Sequence, residues 1–76
     1  MDKVITNMEH YAIKGIISRN NEEAFTIPNT PRFSNVEEAV DFYNRNKDCE
    51  SSYNWLKFRK IGIYKITVSE EICKYL

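Results

Sequence analysis

Between Phe33 and Val68 a helix signal is followed by a long strand, apolar on one side and basic on the other; this pairing points to a helix laid on a small sheet. The signal is Ser34-Asn35-Val36-Glu37. A serine hydroxyl there can accept from the backbone N–H three residues on, while the glutamate reaches back. Val36, Ala39, Val40 and Tyr43 follow at helical spacing, which predicts a helix over about 35–44 with one apolar stripe. Glu37, Glu38 and Asp41 point away from that stripe, and the two glutamates suit the positive helix start. The strand starts between Asn54 and Lys57 and ends near Val68.

Two shorter strands precede the helix. Tyr11, Ile13, Gly15 and Ile17 alternate with His10, Ala12, Lys14, Ile16 and Ser18. Arg19-Asn20-Asn21-Glu22 reads as a turn, because asparagine tolerates the positive φ of tight hairpins. A second strand is expected from Glu23 to Ile27, and Pro28 and Pro31 bracket a loop. Residues 1–8 form a polar lead-in of no assigned structure. Cys49 to Tyr53 reads as a polar connection, and Ser69-Glu70-Glu71 as the cap of a short C-terminal helix. The fold class is therefore a single α+β domain over residues 1–76, in the order β-β-α-β. Its three-stranded antiparallel sheet has strand order 2-1-3, a helix on one face and a helical tail.

Regular alternation then assigns the faces. Tyr11, Ile13, Ile17, Phe25, Ile27, Phe58, Tyr64, Ile66 and Val68 are expected to face the helix, with Gly15 and Gly62 allowing close approach. Ala12, Lys14, Ile16, Lys57, Arg59, Ile61, Ile63, Lys65 and Thr67 fall on the other face, which gathers four cations and no acid. That face reads either as solvated surface with lysine stems over isoleucine, or as an apolar patch ringed by cations where a partner docks. A bulge at Gly62 would instead turn Ile61 or Ile63 into the core. Lys60 is awkward in the regular phase, because it lands among helix-facing neighbours.

The 11 basic and 11 acidic residues cancel, so bulk charge gives no argument for nucleic acid or membrane. Only segregation of charge could do so. The acids lie on the helix, in the following loop and in the tail, which predicts a dipolar molecule. The first residues carry no apolar leader segment and Cys49 and Cys73 lack metal-ligand spacing, so a cytoplasmic chain with reduced thiols is expected.

Catalytic chemistry has little to build on. His10 is the sole histidine, the two glycines form no phosphate loop, and the acidic pairs sit at turns or helix starts. No enzyme, cofactor or metal is expected. Tyr53-Asn-Trp55-Leu-Lys57-Phe58-Arg59-Lys60 interleaves rings with cations, the mixture that single-stranded nucleic acid requires; the competing reading packs Leu56 and Phe58 in the core and Trp55 over the helix end. The helix Val36-Glu-Glu-Ala-Val-Asp-Phe-Tyr43 followed by Ile61-Gly-Ile-Tyr-Lys-Ile-Thr-Val-Ser-Glu-Glu-Ile72 resembles the ends of small bacteriophage and mobile-element accessory proteins. That resemblance implies a short non-enzymatic protein that binds and blocks host factors, including defence nucleases. The leading expectation is a protein-binding module whose partner is a host protein or a second copy of the chain. Its contact residues would be Lys14, Ile16, Tyr53, Trp55, Lys57, Arg59, Ile61, Ile63 and Lys65. The alternative is a single-stranded nucleic-acid binder using the Tyr53–Arg59 segment.

Overall fold

The computed structural model describes residues 9–17, 20 and 23–76. The lead-in and most of the Arg19–Glu22 turn lie outside the described residues. The elements are β1 (His10–Ile16), β2 (Ala24–Thr26), α1 (Val36–Asn46), a one-turn helix α2 (Glu50–Tyr53), a 3-10 turn (Trp55–Lys57), β3 (Lys60–Ile66) and β4 (Glu70–Tyr75). They form one antiparallel sheet in the order β2-β1-β3-β4, with α1 against β1 and β3. The expected 2-1-3 order is present. The expected C-terminal helix is not: residues 70–75 are a fourth strand, because β3 offers them an open edge and a short loop turns the chain back along it.

The helix begins one residue later than expected. Asn35, not Ser34, is the cap, accepting from Glu38 N–H at 2.9 Å; the Glu38 carboxylate reaches back to Ser34 N–H at 3.0 Å. Replacing Asn35 with alanine is expected to lower stability by about 1 kcal/mol, and Ser34→Ala by much less. Denaturation midpoints of the two variants check this order.

The core joins Ile13, Ile27, Phe33, Ala39, Trp55 and Ile63, all buried. Ile13 is registered against Ile63 and Gly15 against Ile61, so residues directly opposite share the helix-facing side. The phase of β3 is therefore opposite to that read from alternation. Ile61 and Ile63 face α1, and Gly62, Tyr64 and Ile66 lie on the far face. The expected phase was anchored on Phe58, which does face the helix: its ring lies on Gly15, where an added Cβ would come within 2.6 Å of Phe58 Cγ. Phe58, however, precedes the strand. Arg59 N–H donates to Ile16 O at 2.7 Å while Lys60 is registered against the same Ile16. Two residues thus oppose one, and the alternation breaks before β3 begins. The strand itself is regular against β1 at Gly62; the irregularity within it is against β4, between Ile63 and Tyr64.

This phase removes the awkward lysine. Lys60 turns to the far face, its Nζ 5.3 Å from the Tyr75 ring centre. Val68, expected in the core, lies in the β3–β4 turn and is exposed, as are Ile17 and Phe25.

Candidate functional site

The basic sheet face expected from the sequence is not assembled. Lys14 is buried on the far face, ion-paired with Glu70 of β4 and with its Nζ 5.7 Å from the Tyr64 ring centre. Ile16 is buried beside it in β1, and Ile63 is fully buried on the opposite, helix-facing side. Lys65 faces the helix side with Tyr11 and bonds Glu9 at 2.7 Å. That hydrogen bond, with the Glu9 charge, raises the Lys65 ammonium above its ordinary 10.5, so the pair is intact at neutral pH and is lost as pH rises through the raised value. Glu70, read from the sequence as part of a helix cap, instead neutralises Lys14 on the sheet. Glu70→Gln is expected to cost about 1–3 kcal/mol, since it leaves the Lys14 ammonium buried without its counter-charge. Lys14→Met in the same background should recover most of the loss, as measured by urea denaturation.

Trp55 is used internally. Its Nε1–H donates at 2.8 Å to Asn46 O, a carbonyl at the end of α1 that also accepts from Cys49 N–H at 2.9 Å. Tyr53 stacks on it at 4.9 Å, Tyr43 meets it edge-on at 5.0 Å, and Phe42 and Phe33 continue the ring contacts into the core. Asn54, at φ 56°, adopts the left-handed backbone that lets α2 break off and the 3-10 turn begin. This turn ejects Leu56, which is 86% exposed rather than part of the core.

An open cleft of about 390 Å³ lies at the Lys60 end of the sheet. Tyr43 and Trp55 line it from the α1 side and Phe58 and Ile61 from the sheet, with Leu56, Tyr75 and Leu76 also exposed to it. A row of register partners runs across the sheet at this level on the helix-facing side: Phe25, Gly15 under the Phe58 ring, and Ile61. Leu76 extends the row, its N–H donating to Ile61 O at 2.8 Å. Arg59 and Lys60 line the cleft and Lys57 stands exposed in the adjoining turn. No Asp or Glu side chain lines it; Glu50, which accepts from Leu56 N–H at 3.1 Å, is outside the lining.

Of the residues expected to form the site, the cleft brings together Trp55, Arg59 and Ile61, with Lys57 beside them and Tyr53 stacked behind Trp55. Lys14, Ile16, Ile63 and Lys65 do not belong to it. Leu56, Phe58, Lys60, Tyr75 and Leu76 were not expected there. The signal for Leu56 was available, since it stands between the buried Trp55 and two exposed cationic positions. Tyr75 and Leu76 were hidden by reading the tail as a helix.

Among the described residues no three His, Cys, Asp or Glu side chains gather as a metal site, and Cys49 and Cys73 are both unbridged and exposed. No helix among them is long and apolar enough to cross a membrane. No family model, curated protein or solved structure matches the chain.

Proposed function

We propose that this chain is a non-catalytic binding module that docks on another protein through the cleft at the Lys60 end of its sheet. The observation that carries this reading is the uncovered apolar row at that end, with Leu56 at 86% and Leu76 at 37% exposure beside a concave, ring-lined opening. Exposed apolar surface of this kind, rimmed by polar groups, marks interaction sites. The lining favours binding over chemistry: it offers rings, aliphatic chains and permanent cations, with no histidine, cysteine, aspartate or glutamate side chain to move a proton.

Protein is favoured over nucleic acid because Tyr53 and Trp55, the rings expected to stack on bases, are stacked on each other. Trp55 is 4% exposed, stacked on Tyr53 and met edge-on by Tyr43, which leaves no open tryptophan platform. A second copy of the chain is disfavoured at this surface. A two-fold dimer would bring two copies of the patch carrying Lys57 and Lys60 into one interface. Light scattering is therefore expected to show a monomer.

Selection of a random displayed-peptide library on the immobilised protein tests the reading. Enrichment of binders that are lost on a folded Leu56→Asp/Leu76→Ser variant supports it. Failure to enrich, or binders that ignore the variant, overturns it.

A further inference from the structure

Resting on the docking reading, we infer that the partner supplies an extended segment that pairs antiparallel with the outer edge of β4 and runs on into the cleft. The backbone carries this first. β4 ends the strand order, and among the described residues it is paired only with β3. All six of its residues are exposed. In an antiparallel ladder neighbouring residues turn their N–H and C=O groups to opposite sides. Leu76 N–H bonds inward to Ile61 O, which directs the groups of Tyr75 outward. Such groups are matched by another extended backbone and poorly by a helix, whose own groups are already paired. β2, at the opposite edge, has three residues and is soon followed by Pro28, so it is the shorter template.

The side chains then set what the segment carries. Ile63 is opposite Lys74 and Tyr64 opposite Ile72, so Cys73 is the extra residue of a bulge. This places Ile72 and Tyr75 together on the far face, where regular alternation would separate them. Their side chains close over Gly62: a Cβ added there would come within 2.6 Å of Ile72 Cδ1 and 3.2 Å of Tyr75 Cδ1. Both are nevertheless exposed, at 41% and 52%. Glu71 and Lys74, opposite Lys65 and Ile63, stand on the α1 side. The segment is therefore one with apolar residues at alternate positions, to cover Ile72 and Tyr75, and polar residues between them. Tyr75 and Leu76 also line the cleft, so a continuous segment passes from the edge into it. Two copies of the chain joined along β4 would set bulge against bulge; a regular strand meets only one.

The best peptide selected above is the probe. Each of its backbone N–H groups is N-methylated in turn, which removes one donor and leaves every side chain in place. Affinity is expected to fall at least about tenfold at alternate positions and little at those between, because only every second residue turns its donor to β4. Amide hydrogen exchange in the complex should slow at Tyr75 and be unchanged over residues 24–26. Tolerance at every position, or sensitivity at every position as for a bound helix, overturns this inference; the docking reading stands if binding is still lost on the Leu56→Asp/Leu76→Ser protein. Alternating sensitivity with slowed exchange over 24–26 moves the segment to β2 and also overturns it. Alternating sensitivity with full binding to the Leu56→Asp/Leu76→Ser protein keeps the strand pairing and overturns the cleft. An empty pool removes both.

Discussion

Replacing Ile63 with lysine is expected to unfold the protein at room temperature, whereas the same change at Leu56 should alter stability by no more than about 0.5 kcal/mol. Ile63 has no exposed surface and sits at the centre of the core opposite Ile13, while Leu56 is almost fully in water. Ile63→Ala alone should cost about 2–5 kcal/mol through lost burial and the cavity left behind. Lysine adds an ammonium with no partner in that environment. A domain of this size draws only about 3–5 kcal/mol from its single core, so the larger lesion exceeds what is available. Circular dichroism of the two lysine variants checks the contrast. A folded Ile63→Lys protein would mean that β3 has the phase that simple alternation suggests.

Trp55→Ala is the second large effect, about 3–5 kcal/mol, enough to leave the chain mostly unfolded. The indole fills the space between α1 and the turn before β3, carries two aromatic contacts and donates a second hydrogen bond to the Asn46 carbonyl. Trp55→Phe separates these roles: it keeps most of the ring packing, loses the N–H, and should cost about 1 kcal/mol. Far-ultraviolet dichroism during urea denaturation reads both variants without relying on the lost fluorophore. Similar midpoints for the two would show that packing, not the hydrogen bond, is the lesser part of what Trp55 contributes.

Much of the architecture was legible because local signals and tertiary needs agree. The stripe Val36, Ala39, Val40 and Tyr43 has one period and one polar complement, and it lies on the core as the spacing demands. β1 was equally plain, with Ile13 between Tyr11 and Gly15. β3 was ambiguous for a physical reason: both alternating sets, Ile61/Ile63 and Tyr64/Ile66, are apolar, so period alone leaves the phase open. Phe58 then misled, because the chain breaks step at Arg59 before the strand starts. The useful clue was Lys60, whose burial in the wrong phase had no partner to offset it. Ser69-Glu70-Glu71 satisfies a helix start as well as a turn, and only the open edge of β3 decides between them. The candidate site was less legible than the fold because it is built from chain ends and irregular turns. Leu56, Tyr75 and Leu76 meet through the 3-10 turn and the fourth strand, neither of which the sequence announced.

The Lys60-end cleft is the proposed docking surface, and an amide-resolved NMR titration with the best peptide selected from the random library tests that most directly. Shifts should concentrate at Leu56, Phe58, Lys60, Ile61, Tyr75 and Leu76 and leave Ala12 and Lys14, further along the sheet from Lys60, unmoved. Shifts confined to the far face, or to the α1 surface around Glu37 and Asp41, would contradict it.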